Sequence, residues 1–558
     1  MNRSSSLIAQ LSSIRNRYGT DFSSKKLKLL TAISNEPVKG QKVLQPWYDT
    51  LLFLLAYPDN RPVYQHASRS LLKLQQYIQS NEHIQRGLYN SGITNTRLCA
   101  AFSFEIVKWM RKKHPGDIRF SSFDTDDGHI QSILSVVMPK VESEIMQDAN
   151  ANWRSWLKES LQKGEDMLDQ FIAIFDQGAI RPEVKDELWN ALGLNVEIDF
   201  PAHDRLPASL TAAHYYHRSL IKKDLTRQED VRPIRINLDE AGAEQIIDCS
   251  RMILIRHLRE IDPVTFTGVR LVSYYHLQRG LSIALMGMVP DRRHPIDSYM
   301  GYVVFKNGLP VAYAGSWILF DSGRIGLNIF PSYRGGESQY IFDQVLKLHR
   351  KVYHLKRFSV DPYQVGKENS DGIRSGAFWV YYHVGFRPIG KEQKQLAETE
   401  AQKIKTIPGY RSPATVLKIL AGSRMELILQ KAAVRFDATD LSRAYAAILI
   451  DKYNNNRKTA QERCLKKLVK LLAIKNYQGE QLQFILENWS VLLLSNETVS
   501  SRVSGLKSLL KKLFALKAVG SEEAYIAELQ KSAELRKFLE SVLSLLAKPI
   551  PLKETSSK

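Results

Sequence analysis

Between about residues 231 and 389 the apolar side chains switch repeatedly between a spacing of two and a spacing of three to four. No fold built from one kind of element accommodates that. Val231–Leu238 alternates, with Ile234, Ile236 and Leu238 on one side. Ala241–Glu260 follows with helical spacing through Ile246, Ile247, Met252, Ile253 and Ile255. Leu281–Val289 is a further strand candidate. Gly301–Phe305 and Val311–Phe320 flank Asn307-Gly308, two residues that both accept positive φ and so favour a tight hairpin. Arg324–Phe330 alternates through Ile325, Leu327 and Ile329. The same patterning predicts a helix over Glu337–Leu355, a strand over Arg357–Val360, a helix over Ile373–His383 and a strand over Phe386–Ile389. The expectation is a central mixed α/β domain.

The flanks read as mainly α-helical. Before the switch, Leu51, Leu54 and Leu55, then Leu71, Leu72 and Leu74, and then Trp153, Trp156 and Leu157 keep helical spacing; Ile133–Met138 is the main ambiguous stretch. After Pro408, one stripe runs through Leu465, Leu468, Val469 and Leu472 and another through Ile526, Leu529, Leu535, Leu539 and Val542. A chain of 558 residues is multidomain. The reading is a helical N-terminal region over 1–205, closing near Pro201 and Pro207, the α/β domain over 230–430, and a basic helical C-terminal region over 431–558 with a frayed end at Pro549–Lys558.

Hydrophobic residues at 44% and charged residues at 24% exclude wholesale disorder. Cys99, Cys249 and Cys464 form no CxxC pair, which argues against a disulfide scaffold or a Cys-rich zinc site and fits a reducing, cytoplasmic compartment. No apolar run reaches the roughly 18 residues of a membrane span. The N-terminus carries Arg3, Arg15 and Arg17 without an apolar core, so a flexible cytoplasmic start is favoured over a presequence. The net charge of +20 suits polyanions, from nucleic acid to phosphorylated cofactors such as coenzyme A. Lys391–Lys558 holds 29 basic and 17 acidic residues, so 12 of that surplus lies in the last third.

Within Arg324–Pro388 a strand runs into Pro331-Ser332-Tyr333-Arg334-Gly335-Gly336-Glu337-Ser338 and then a helix. Free N–H groups and the helix dipole at such a start suit a diphosphate, and glycines let it approach the backbone. On spacing alone, a two-glycine turn is a weak signal, because most such turns merely change the chain's direction. The next helix ends in Tyr381-Tyr382-His383-Val384-Gly385-Phe386. Because Phe378 and Trp379 precede them, Tyr381 and Tyr382 fit an aromatic core stripe as readily as a chemical role.

The ordered series of hairpin, strand, Tyr333-Arg334-Gly335, long helix, strand, and a helix carrying Ala377, Tyr381, Gly385 and Phe386 resembles the GNAT superfamily of acyl-CoA-dependent N-acyltransferases. The likeness spans about residues 231–430 and is closest over Gly301–Ile389. It implies a GNAT-like sheet splayed between central strands, with an acyl-pantetheine arm in the gap and an amine attacking the thioester directly. The donor it implies is acetyl-CoA or another acyl-CoA, with no metal. The backbone of Arg334, Gly335, Gly336, Glu337 and Ser338 would hold the pyrophosphate. Leu327, Asn328 and Ile329 would pair with the pantetheine and polarise the thioester carbonyl, and Tyr381 would protonate the leaving thiolate. A phenol suits that step, since it donates without ionising at neutral pH.

Glu337 and Gln339 stand where the family keeps small loop residues, and Arg374 where an asparagine commonly precedes Ala377, with Asn369 upstream. A carboxylate beside a diphosphate is unfavourable unless it points away or caps the helix. No glutamate lies on the central strand, so Asp361, Glu337, a base supplied elsewhere or a water relay are the candidates for the amine's general base.

His214 and His217 read as surface or packing histidines, and Asp124, Asp126 and Asp127 as a solvated turn, because neither set completes a metal shell. Arg463, Lys466, Lys467 and Lys470, and then Lys507, Lys511 and Lys512, form basic stripes. These are solvated helix faces or docks for nucleic acid, an acidic protein or anionic membrane. A second class of function therefore stands beside the enzyme: a non-catalytic adaptor with a degenerate GNAT fold that binds such a partner through its basic helices.

Overall fold

The structure is a computed structural model that describes residues 3–36, 38, 40–144, 153–177, 180–200, 205–221, 232–431, 433–477, 479–494 and 503–544. Pro201, Val231 and the Pro549–Lys558 end lie outside the described residues.

A small antiparallel sheet comes first, with β1 (Arg97–Ala101), β2 (Ile118–Phe123) and β3 (Leu194–Asp199) in the order β1-β3-β2. These strands depart from the helical reading of the N-terminal region. Only the central β3 alternates cleanly, burying Leu194, Val196 and Ile198, and β1 pairs with it across a long stretch of chain, Arg97 opposite Asp199. Ile133–Met138 resolves as helix, since Asp127–Val137 is helical.

The large sheet is formed by β4 (Ile234–Ile236), β5 (Val272–His276), β6 (Leu281–Met286), β7 (Ser298–Lys306), β8 (Leu309–Leu319), β9 (Ser322–Ile325), β10 (Asn328–Ile329), β11 (Arg357–Val360), β12 (Arg387–Pro388) and β13 (Met425–Ile428). Its order is β12-β13-β11-β9-β8-β7-β6-β5-β4, with β10 beside β8. β4 to β9 run as an antiparallel meander, whereas β11 joins β9 in parallel and the late strand β13 is inserted between β11 and β12. The crossover from β10 to β11 is the helix Ser338–Tyr353, which buries Ile341, Phe342, Val345 and Leu348. Side chains of that kind each contribute about 1.5–3 kcal/mol on burial.

The Asn307-Gly308 turn has φ values of 48° and 81°, as a two-residue hairpin loop requires. Asn307 also ties the turn to distant chain, donating from Nδ2 to the carbonyls of Ala56 (3.0 Å) and Tyr215 (3.1 Å).

Apolar packing divides the chain differently from the expected N-terminal region over 1–205. The helices from Arg3 to Gly87 share one core with the large sheet. Buried residues among those described between 98 and 200 form another with Met252 and Ile255, and those described between 434 and 542 pack around Leu319 and Phe320. Among the described residues, no helix is long and apolar enough to cross a membrane.

Candidate functional site

Ser322, Gly323 and Arg324 of β9 pair in parallel with Arg357, Phe358 and Ser359 of β11. β10 continues in β9's register along β8, Ile325 opposite Ser316 and Asn328 opposite Tyr313, but it pairs only with β8. The two parallel strands therefore part beyond Ser359. The Phe330 N–H donates to the Val311 carbonyl at 3.1 Å, on the β8 side. Backbone groups alternate along a strand, so those of Leu327 and Ile329 face the opening instead. There the Leu327 N–H donates to Tyr381 Oη at 3.1 Å, and the Ile329 carbonyl accepts from Arg334 Nε at 3.4 Å.

A cavity of about 640 Å³ occupies the opening, within the usual range for a small-molecule site. Leu327, Asn328 and Ile329 form one wall, Arg334, Gly335 and Ser338 a second, and the segment from Gln364 to Tyr381 a third. Seven of the nine residues singled out from the sequence thus line one cavity: Leu327, Asn328, Ile329, Arg334, Gly335, Ser338 and Tyr381.

Tyr381 belongs to the core through its ring and to the cavity lining through its hydroxyl. Its ring is core, 2% exposed and edge-on to Phe342 (5.1 Å) and Phe386 (5.8 Å), while its hydroxyl reaches the cavity wall. The helix expected over Ile373–His383 is two helices, Ser370–Ser375 and Ala377–Val384, joined at Gly376 with φ 65°. Burial pushes the Tyr381 phenol well above the ordinary tyrosine value, opposed in part by the Leu327 N–H. Accepting that bond leaves the O–H hydrogen as the donor. Tyr382 is elsewhere, beneath the Arg387 guanidinium at 4.0 Å.

Gly336 and Glu337 do not line the cavity. A Cβ on Gly336 would lie 2.6 Å from Tyr57 Cζ, so the glycine admits that ring from behind. Glu337 is corrected more fully. It is 1% exposed, its side chain does not cap the helix, and it points into the protein. Oε1 accepts from Arg279 Nη2 at 2.5 Å and from the Ile221 N–H at 3.0 Å, and Oε2 from Lys306 Nζ at 3.3 Å. A carboxylate paired with two cations is no general base for an amine in the cleft. Asp361 is similarly committed, lying 3.4 Å from Arg324 and 3.7 Å from Arg424.

Sequence reasoning missed Asp371 on the facing wall. Arg334 binds it with both terminal guanidinium nitrogens, at 3.1 and 2.6 Å, and this pairing holds the Asp371 carboxyl below its ordinary value. Asn369 lies on the same wall, where it caps Ser370–Ser375 by accepting the Gly372 N–H at 3.0 Å.

The remaining candidates lie outside this cleft. His214 and His217 share no helix: His214 meets Tyr64 edge-on at 4.4 Å, and His217 is buried among Tyr18, Tyr57 and Tyr215. Asp126 caps Asp127–Val137, Asp127 pairs with Arg154, and Asp124 accepts from Asn195. Arg463, Lys466, Lys467 and Lys470 are exposed on a helix whose other face buries Cys464, Leu468 and Leu472. Lys507, Lys511 and Lys512 are exposed as well, the last paired with Glu528.

Comparison with known proteins gives no match to a family model, a curated protein or a solved structure.

Proposed function

We propose that this protein is a GNAT-like N-acyltransferase that moves an acyl group, in the simplest case acetyl, from a coenzyme A thioester to an amine. The observation that supports it is the cavity itself. It lies where two parallel strands part, with outward-facing strand backbone on one wall, the Arg334–Gly335 turn on the next, and a neutral buried phenol on the third. The Leu327 carbonyl and the Ile329 N–H suit the amides of a pantetheine arm, the Leu327 N–H and the Ile329 carbonyl being held by Tyr381 and Arg334. The turn and the start of the Ser338–Tyr353 helix suit a diphosphate. In the reaction the amine nitrogen forms a bond to the thioester carbon, the carbon–sulfur bond breaks with its electron pair on sulfur, and Tyr381 protonates that sulfur. The amine's proton leaves to solvent and the phenol is reprotonated from there. Calorimetric titration of the full chain with acetyl-CoA and longer acyl-CoAs tests the donor assignment; folded protein that binds none of them removes it.

The Arg334–Asp371 pair spans the cleft, so an entering diphosphate has to compete with Asp371 for the guanidinium. Asp371→Asn should tighten acetyl-CoA binding by about three- to tenfold, while stability, for a half-exposed pair, should change by about 1 kcal/mol or less. Titration and thermal melting of the same samples check both halves.

One observation favours the adaptor reading: both carboxylates considered as general bases are held by arginine or lysine. An adaptor acting through its exposed basic helices would bind RNA, an acidic protein or anionic vesicles with an affinity that falls steeply as salt rises. It would show no thiol release from any acyl-CoA.

A further inference from the structure

The turn that faces the cleft is gripped from behind by residues at the far end of the chain. Ser332 Oγ donates to Asp49 Oδ1 at 2.7 Å. Arg15 Nη2 donates to the Arg334 carbonyl at 3.2 Å, and Asn16 Nδ2 to the Gly335 carbonyl at 3.3 Å, each across 319 residues of sequence. Arg15 is itself braced, its guanidinium 4.8 Å above the Phe53 ring.

These contacts fix the direction of peptide planes. In a trans peptide the C=O and the following N–H point opposite ways, and the described residues contain no cis bond. With the Arg334 carbonyl drawn toward Arg15, the Gly335 N–H is turned the other way, away from Arg15, in a turn whose Arg334, Gly335 and Ser338 line the cavity. Gly335 has φ 85°, a conformation in which its peptide flanks are not set by a side chain, so an outside hold is what defines them. Asn16 fixes the next plane, whose Gly336 N–H is spent on the Tyr333 carbonyl at 3.3 Å, so its hold sets the shape of the turn rather than offering a second N–H. The hold brings a guanidinium to the rear of the turn as well, adding positive charge where an anion would rest.

We infer that Arg15 and Asn16 are positioning residues for the donor's diphosphate, which makes the N-terminal helices the rear wall of the donor site. This rests on the acyl-CoA reading. It also narrows the donor class: the N-terminal hold acts on the phosphate end of the molecule and leaves the pantetheine end to β10.

The test compares two ligands on the full chain, acetyl-CoA and S-acetylpantetheine, which has the thioester arm but no phosphate. Arg15→Ala combined with Asn16→Ala should weaken acetyl-CoA binding by about tenfold or more, the loss of charge-assisted contacts, and leave S-acetylpantetheine within about twofold. Arg15→Lys, which keeps a donor and a charge, should recover part of the loss. Equal weakening of both ligands would mean a purely structural role, and no weakening of either would mean no role; either result overturns the inference while the donor assignment stands. A wild-type chain that binds neither ligand overturns the donor assignment itself, and this inference with it. Circular dichroism of the Asn16→Ala single variant, altered at an exposed side chain, guards against misfolding in the double variant.

Discussion

Tyr381→Phe should lower the turnover of acyl transfer by about a hundredfold or more and leave acetyl-CoA affinity within about twofold, because a well-placed general acid contributes about 10²–10⁴ to the rate. The substitution keeps the ring, and with it the contacts to Phe342 and Phe386. What it removes is the hydroxyl that accepts from the Leu327 N–H and holds the hydrogen offered to the leaving thiolate. Stability should fall by only about 1 kcal/mol, the usual net worth of one neutral hydrogen bond. The pH profile carries a second mark. An exposed tyrosine loses its proton near pH 10, whereas burial raises this phenol further, so the acid form persists across that range. The wild-type rate should therefore show no alkaline fall through about pH 10. Thiol release from acetyl-CoA, followed against a panel of small amines and lysine-bearing peptides, measures both effects. Unchanged turnover in the variant would take Tyr381 out of the chemistry and leave it as a core residue with a satisfied hydroxyl.

Features that depend on neighbours in sequence could be read directly from the chain, and those that depend on distant neighbours could not. The Asn307-Gly308 hairpin, the strand Arg357–Val360 and the Arg334-Gly335 turn each follow from a few adjacent residues. Tyr381 could be placed at the site only through the family resemblance, because helical spacing gives a core aromatic and a catalytic one the same signature. β13 was out of reach for another reason: its four residues, Met425–Ile428, are inserted between strands that precede them in the chain. Glu337 shows the limit most clearly. In sequence it is a carboxylate beside a proposed phosphate cradle. Its partners Arg279 and Ile221 lie 58 and 116 residues away, and nothing local announces them. Arg15 and Asn16 are more distant still. The signal for Glu337 was negative, a charge where the turn's own chemistry disfavours one, and that mismatch marks a residue facing the other way.

That orientation leads to the largest expected effect on stability. Glu337→Gln should destabilise the fold by about 3–5 kcal/mol, the range for a buried charge deprived of its partner. Glu337 is the carboxylate shared by Arg279 and Lys306, and the Lys306 side chain is wholly buried. Burial pushes the Lys306 ammonium down to about 8, with Glu337 supporting the charged form and Arg279 opposing it. Removing the carboxylate lowers it further. The sign of the pH dependence follows. Between the variant's lowered value and about 8, the folded wild type keeps the proton on Lys306 and the folded variant does not, while both unfolded chains keep it. The wild type's stability is then flat with respect to this group, and the variant's rises with pH, because its unfolded state binds more protons than its folded state. The gap between them should narrow as pH climbs toward 8 and level off above it. Urea melts of both chains across that interval measure the gap directly. A gap below about 1 kcal/mol at its acid end, or one that widens with pH, would show that Arg279 and Lys306 do not depend on Glu337. With the gap as expected, acetyl-CoA affinity should fall in the variant too, since the helix that starts at Ser338 is anchored through the residue just before it.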